Sequence, residues 1–230
     1  MFKNKIGIFL IFFFLTSCGG SVTTTPTPAS LPSNSTIRYL ALGDSYTIGE
    51  SVPENERWSN QLAELIGGNI EVKIIARTGW TTSELWQGIQ KETLTPPYDM
   101  VSLLIGVNNQ YRGYDKEEYR QEFVFLLNKA IEYAGGDKNK VFVVSIPDWG
   151  VTPFAKGRNA ETIASEIDAF NQINKEESEK LGIAYVDVTP ISREAVNDAD
   201  LIAPDGLHPS GKMYAEWAKL ALPVALEILR

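Results

Sequence analysis

A serine, a histidine and an aspartate in this chain have the types and spacing needed for nucleophilic catalysis. Ser45 lies in the stretch GDSYTIG at 43–49, and His208 is the only histidine among the 230 residues. Asp205 precedes His208 by three positions. A serine hydroxyl becomes a nucleophile near neutral pH only when a base accepts its proton and an acid orients that base. If Ser45 is a nucleophile, His208 has to be its base.

Other interpretations of these residues compete with catalysis. An isolated histidine in a loop is more often a surface residue near a turn, and only its combination with Ser45 favours the catalytic hypothesis. Asp187 ends an apolar run and could serve as the acid, although Asp205 is closer to His208 in sequence. Asp44 adjoins Ser45, where an aspartate commonly caps a turn or the start of a helix. Asp205 is therefore the predicted acid.

The elements that must position these residues alternate between strand-like and helix-like patterns. Short apolar or β-branched runs predict strands, and apolar residues at spacings of three and four predict helices. Such alternation indicates a mostly parallel sheet with helices on both faces. The predicted strands are 37–42, 70–76, 99–105, 140–146 and 183–188, and the predicted helices are 57–66, 82–91, 115–134, 161–181 and 211–229.

Four short polar stretches lie where such a sheet would bind a ligand. Ligands bind at the carboxyl ends of parallel strands, and the first three stretches each follow a predicted strand. The fourth is the loop before the last helix. The stretches are GDSYTIG at 43–49, RTGWTT at 77–82, IGVNNQ at 105–110 and APDGLHPSG at 203–211.

These four stretches, in this order, resemble the motif blocks of the SGNH, or GDSL-type, hydrolase superfamily over residues 37–229. The resemblance implies a flavodoxin-like, three-layer α/β/α fold with a five-stranded, mostly parallel sheet. It also implies that Ser45, Asp205 and His208 form a catalytic triad that hydrolyses carboxylic esters or thioesters through an acyl-enzyme.

The resemblance further implies a set of hydrogen-bond donors for the oxyanion of the reaction. The backbone N–H groups of Ser45 and Gly79 supply two donors, and the side-chain amide of Asn108 in the Gly-x-Asn block supplies a third. Asn109 is the neighbouring alternative, and the Gly-x-Asn spacing favours Asn108. A glycine at position 79 suits the role because a substrate can approach its backbone closely.

The predicted substrate pocket draws on the residues around these stretches. Its candidate lining residues are Tyr46, Trp80, Asn109, Tyr111 and Trp149, and the aromatic ones could equally be packing residues. The loops 148–159 and 109–114 are expected to shape it. No metal site is predicted, because the single histidine and single cysteine leave only carboxylates. No phosphate-binding glycine motif follows the first strand, so no cofactor is expected.

The N-terminus reads as a bacterial lipoprotein signal. Lys3 and Lys5 precede the apolar run 6–15, and LTSC at 15–18 resembles a lipobox with Cys18 as the lipidated residue. An ordinary signal peptide or a short membrane anchor is the alternative. The prediction is a signal peptide over 1–17, a flexible Ser/Thr/Pro-rich tether over 18–36 and a hydrolase domain over 37–230.

Composition limits the partners of such a protein. The formal net charge is −8 and no segment is rich in lysine and arginine, which argues against nucleic-acid binding. A lipid anchor at Cys18 predicts a location in the bacterial cell envelope. Gly19 after it favours the outer membrane or cell surface over the inner membrane. The oligomeric state is not predicted.

The substrate is left open between several classes. A short acyl group or an acetylated glycan is slightly favoured, because no long apolar lid is evident in the sequence. The alternatives are a lipase or lysophospholipase that acts on membrane lipids, an acyltransferase that uses the same triad, and an envelope-binding module without catalysis.

Overall fold

The structure is a computed structural model that describes residues 1–2 and 36–230. Cys18, nearly all of the predicted tether and all but the first two residues of the predicted signal peptide therefore lie outside the described residues. In the described ranges, none of the helices combines the length and apolar character needed to cross a bilayer.

Five strands form a single sheet in the order β2-β1-β3-β4-β5, and every neighbouring pair is parallel. This is the flavodoxin-like order, in which the ligand site lies at the carboxyl ends of the strands where β1 and β3 diverge. The predicted five-stranded parallel sheet is confirmed. The strands are β1 (Ile37–Gly43), β2 (Ile70–Ala76), β3 (Met100–Leu104), β4 (Val141–Val144) and β5 (Ala184–Val186).

Helices cover both faces of the sheet. The helices are α1 (Ser45–Ile48), α2 (Trp58–Ile66), α3 (Thr82–Ile89), α4 (Val107–Tyr111), α5 (Lys116–Tyr133), α6 (Ala160–Leu181), α7 (Thr189–Arg193) and α8 (Gly211–Ile228). One layer contains α2 packed on α8, and the other contains α3, α5 and α6 in contact. The three-layer α/β/α prediction is confirmed.

Burial explains why the central strands are apolar along their whole length. Every residue of β3 is buried, because helices cover both of its faces. The largest fully buried side chains include Trp58 and Trp217, on the α2–α8 layer, and Tyr119 and Phe123 on α5. This packing holds the carboxyl ends of the strands in fixed positions.

The differences from the predicted elements lie at ends and in short helices. The predicted strand 140–146 is β4, which ends at Val144, and the predicted helix 211–229 continues through Pro223 to Ile228. The helices α1, α4 and α7 have four or five residues each, too few for a helical repeat to show in the sequence. Two of them, α1 and α4, carry predicted site residues.

Candidate active site

The polar stretches that follow the strands meet at one cavity. Ser45, Gly79, Asn108 and His208 all line a cavity of about 170 Å³ at the carboxyl edge of the sheet. These residues come from four separate parts of the chain. The parallel strand order brings them together, as the sequence predicts.

Ser45 is the first residue of helix α1, and one residue, Asp44, separates it from the end of β1. The carboxylate of Asp44 caps this helix, since its Oδ1 accepts a hydrogen bond of 3.0 Å from the N–H of Tyr46. The first N–H groups of a helix have no partner inside the helix, so the N–H of Ser45 is available to a ligand. The Ser45 side chain is buried except where it faces the cavity.

His208 is oriented by Asp205. The Nδ1 of the imidazole lies 2.6 Å from Oδ2 of Asp205, and the N–H groups of Leu207 and His208 donate to Oδ1 at 2.9 and 3.0 Å. With Nδ1 bound to the carboxylate, Nε2 is left as the nitrogen that can accept a proton. The described residues contain no hydrogen bond between the Ser45 hydroxyl and this imidazole, a contact that commonly tightens when substrate binds.

The Asp205 carboxyl is strongly favoured in its ionised form. Partial burial raises its pKa, but hydrogen bonds from Ser51, His208 and two backbone N–H groups outweigh burial and hold the pKa well below its usual range. An ionised Asp205 stabilises a positive charge on His208. This is the electrostatic arrangement that a serine–histidine pair needs.

Gly79 lies in the loop between β2 and α3 with φ of +86°, a conformation that favours glycine. Its carbonyl accepts a hydrogen bond of 2.7 Å from Nη2 of Arg112, whose guanidinium also lies 3.2 Å from the Glu84 carboxylate. This hydrogen bond restrains the peptide unit between Gly79 and Trp80. Arg112 is a contact that the sequence did not single out.

Asn108 on α4 is fixed from the same loop. One hydrogen of its Nδ2 goes to the carbonyl of Trp80 at 3.0 Å, which leaves the second hydrogen for the cavity. The preceding Gly106 has φ of +127°, and a Cβ there would overlap the Tyr119 hydroxyl. A glycine at 106 is therefore required for α4 to start so close to α5.

Aromatic side chains form one wall of the cavity. Tyr111, Trp149 and Phe154 contact one another with ring centroids 5.4 to 6.2 Å apart. Tyr46 also lines the cavity and meets the His208 ring edge to face at 5.8 Å. Three of the predicted pocket residues, Tyr46, Tyr111 and Trp149, thus face the cavity.

Trp80 and Asn109 are not among the residues that line this cavity. The Trp80 ring packs against Gly88 on α3. Asn109 is fully buried, where its Oδ1 accepts from the N–H of Thr82 at 3.1 Å and its Nδ2 donates to the Thr82 hydroxyl at 2.7 Å. Both residues shape the loops around the cavity instead of forming its surface.

Asp187 takes part in a different network. Its Oδ1 accepts from the Ser145 hydroxyl at 3.0 Å and from the N–H of Thr189 at 3.1 Å. These contacts fix the start of α7 beyond β5. Of the two aspartates weighed as partners of His208, the structure brings Asp205 to the imidazole.

Sequence reasoning gave no site role to four further residues of the cavity wall, Thr78, Val107, Phe154 and Leu207. Phe154 lies in the loop 148–159 that was expected to shape the pocket, and Leu207 precedes His208 directly. Their positions were the only signal in the sequence. Within the part of the chain that the structure describes, no group of three or more His, Cys, Asp and Glu side chains converges as a metal site.

Burial gives Asp44 an unusual titration, which predicts a pH-dependent stability. The Asp44 side chain is fully buried, and burial raises its pKa to about 7 from 3.8. Between about pH 4 and pH 7, Asp44 loses its proton in the unfolded chain but keeps it in the folded protein, so ionisation favours unfolding. The stability that depends on a neutral Asp44 is therefore fully present below pH 4 and is lost as the pH rises through 7. We expect Asp44→Asn to remove this loss of stability at higher pH, because an asparagine side chain does not ionise.

The measurement is urea unfolding of the wild type and Asp44→Asn across this pH range. Relative to the wild type, the free energy of unfolding of Asp44→Asn should rise by on the order of a few kcal/mol between pH 4 and pH 8. Ser165→Ala, a substitution of a non-titrating, exposed residue on α6, is the control and should show a constant difference. A constant difference for Asp44→Asn as well would contradict the prediction.

A comparison of sequence families agrees with the resemblance in the four stretches. Residues 41–216 match the profile of the GDSL-like Lipase/Acylhydrolase family. No curated protein sequence matches the chain significantly.

Solved structures share the fold at low sequence identity. A lipolytic protein of the G-D-S-L family from Veillonella parvula matches with a TM-score of 0.62 and 20% identity, over 81% of this chain and 97% of that chain. The acetylxylan esterase Axe2 from Geobacillus stearothermophilus matches with a TM-score of 0.60 and 18% identity, over 84% of this chain and 94% of that chain. The esterase EstA from Pseudoalteromonas sp. matches with a TM-score of 0.62 and 15% identity, over 81% of this chain and 94% of that chain. With the profile match over most of its length, the chain belongs to the GDSL-like lipase/acylhydrolase family of ester-hydrolysing enzymes.

Proposed function

We propose that the chain is a serine esterase that uses Ser45 as nucleophile, His208 as general base and Asp205 as the acid that orients His208. One observation carries the proposal: Asp205 holds His208 through a 2.6 Å hydrogen bond, and His208 opens on the same cavity as Ser45. Because His208 is the only histidine of the chain, another residue could not take its part in a serine–histidine mechanism.

The proposed reaction has two halves that use the same groups. The Ser45 Oγ attacks the acyl carbonyl carbon, and its proton passes to Nε2 of His208. The tetrahedral intermediate then breaks its bond to the leaving alcohol, which receives that proton and departs. A water molecule, deprotonated by His208, attacks the acyl-enzyme in the second half and releases the carboxylic acid and free Ser45.

The oxyanion of each intermediate needs donors already in position. Ser45, Gly79 and Asn108 all line the cavity. The proposed donors are the N–H groups of Ser45 and Gly79 and the second Nδ2 hydrogen of Asn108. Removing one such donor typically lowers turnover by about 10²–10³-fold. Arg112 and the Trp80 carbonyl support the role by fixing Gly79 and Asn108 in place.

We further propose that the acyl group of the substrate is short. The cavity has a volume of about 170 Å³, and most of its wall is apolar or aromatic. An acetyl or butyryl group fits in that volume, whereas most of a palmitoyl chain would have to extend outside it. Acetylated glycans are candidate substrates. An acetylxylan esterase with this fold gives that choice some support.

The place of action that we propose is the bacterial cell envelope, with Cys18 as a lipid anchor. The support is the order of a basic segment, an apolar run and the LTSC stretch in the sequence. The Ser/Thr/Pro-rich residues 18–36 would then act as a tether between the membrane and the folded domain. The ester substrate would be a small molecule, glycan or lipid of the envelope or its surroundings.

Hydrolysis of p-nitrophenyl esters from acetate to palmitate tests the proposed substrate class. We expect kcat/KM to be highest between acetate and butyrate and to fall for longer chains, because the cavity is small. Ser45→Ala, measured beside the wild type, should show no chain-length preference above background. A serine-dependent maximum at decanoate or longer would contradict the short-acyl proposal and favour membrane lipids.

A further inference from the structure

A serine just after the nucleophile helix adopts a backbone conformation that favours glycine. Ser51 has φ of +67°, and among residues 36–230 it is the only residue other than glycine with a positive φ. It is the third residue of a turn in which the N–H of Val52 donates to the carbonyl of Gly49 at 3.3 Å. A positive φ at this turn position commonly selects glycine, so a serine here gives up some stability.

The Ser51 side chain makes one contact that a glycine could not make. Its hydroxyl donates a hydrogen bond of 2.6 Å to Oδ2 of Asp205, the same oxygen that lies 2.6 Å from Nδ1 of His208. The other oxygen of Asp205 accepts only from backbone N–H groups of its own loop, those of Leu207 and His208. In the described residues, Ser51 is thus the one hydrogen-bond partner of this carboxylate from another part of the fold.

This contact joins the two halves of the proposed triad. Bonds within the loop 205–208 fix the aspartate relative to the histidine, but they do not fix either residue relative to Ser45. Ser51 lies six positions after Ser45, in the turn that ends the nucleophile helix. The hydrogen bond therefore links the segment that carries the nucleophile to the loop that carries the base. The rings of Tyr46 and His208, with centroids 5.8 Å apart, form a second contact between these segments.

The charge of Asp205 makes the contact effective. A hydrogen bond to an ionised group is stronger than one between neutral groups, and it stabilises the carboxylate in one orientation. The bond lies at an exposed position, so water can take the place of the hydroxyl if it is removed. Water would satisfy the carboxylate but would not connect it to the nucleophile segment.

We propose that Ser51 is a positioning residue, which holds the Asp205–His208 pair in register with Ser45 at the expense of backbone strain. The inference rests on the proposed function of Ser45, Asp205 and His208. Ser51 does not line the cavity, so it acts on turnover through Asp205 without contacting the substrate. The strained backbone at Ser51 then accompanies a functional contact, the hydrogen bond from its side chain to Asp205.

Two substitutions distinguish the effect of losing the Ser51 hydroxyl from the effect of relieving its backbone strain. Ser51→Gly removes the hydroxyl and relieves the positive φ, whereas Ser51→Ala removes the hydroxyl and keeps the strain. We expect kcat for p-nitrophenyl acetate to fall about tenfold in both variants, with KM within twofold of wild type. The melting temperature should rise for Ser51→Gly and should stay equal or fall for Ser51→Ala.

A rise in stability together with a fall in kcat is a result that a merely structural role would not give. Ser165→Ala, an exposed serine on α6, is the control and should leave kcat and melting temperature unchanged. Wild-type kcat in Ser51→Gly would overturn the inference, as would a loss of kcat that follows the loss of stability. Ser45→Ala is measured in parallel. If it keeps activity, the proposed function itself fails, whereas an inactive Ser45→Ala beside a fully active Ser51→Gly refutes only the role of Ser51.

Discussion

Replacing Ser45 by alanine is expected to lower kcat for ester hydrolysis by at least about 10⁴-fold, while the protein stays folded. Loss of the nucleophile in a serine–histidine mechanism removes the covalent route and leaves only the rate enhancement that oxyanion donors and substrate binding supply. The Ser45 side chain faces the cavity, so its hydroxyl can be removed without a large change in packing. Steady-state kinetics and thermal unfolding of the same preparation measure both effects.

The comparison needs a serine that lies away from the cavity. Ser165→Ala on α6 removes an exposed hydroxyl and should match the wild type in rate and stability. Activity of Ser45→Ala within tenfold of the wild type would exclude Ser45 as nucleophile. A lost activity together with a lost melting transition would point to misfolding, and Ser45→Gly would then be used to repeat the test.

Replacing His208 by glutamine is expected to have an effect of similar size. Glutamine approximates the shape of the ring but cannot take the proton from Ser45, and removal of either member of such a pair costs about as much as removal of both. The double variant Ser45→Ala/His208→Gln should therefore be no less active than the single variants. Kinetics of the three variants with one substrate give this non-additivity directly.

The pH dependence of activity provides a second test of His208 as the base. The wild-type kcat/KM should fall on the acid side, because a protonated imidazole cannot accept the serine proton. Hydrogen bonds from Ser51 and His208 hold the pKa of Asp205 well below its usual range, so Asp205 stays ionised over this limb. An unchanged acid limb in His208→Gln, or fully additive losses in the double variant, would contradict the assignment of His208.

Much of this fold is readable from the sequence because its signals are local. The run at 99–105 is apolar without alternation, which predicts a strand covered on both faces, and β3 is buried at every position. The helix at α5 shows its apolar repeat and a glycine pair at its end. The order of the strands has no such signal. It came from the resemblance carried by the four polar stretches, and the structure confirms it.

In the candidate site, too, some features can be predicted from local sequence signals and others cannot. Ser45, Gly79, Asn108 and His208 could be named because each lies in a motif after a strand or before a helix, and the structure brings them to one cavity. Position after a strand does not determine which way a side chain points. For that reason the sequence alone does not distinguish Trp80, whose ring packs on Gly88, from a residue of the cavity wall.

Ser51 illustrates what the sequence could not give. No motif marks this residue, and 154 positions separate it from Asp205. Only the turn after α1, which directs the Ser51 hydroxyl toward the loop of His208, reveals the contact. Contacts between segments distant in sequence depend on tertiary packing, so the supporting residues of a site are harder to predict than the residues in its motifs.

The measurement that tests the central claim most directly is the location of a covalent label. A p-nitrophenyl alkylphosphonate reacts with an activated serine by forming an Oγ–phosphorus bond and releasing p-nitrophenol, and peptide mass mapping finds the labelled residue. We predict one phosphonyl group per chain, on Ser45, with loss of activity in proportion to labelling. An inactivated enzyme that carries the label elsewhere, or an active enzyme fully labelled at Ser45, would contradict the account.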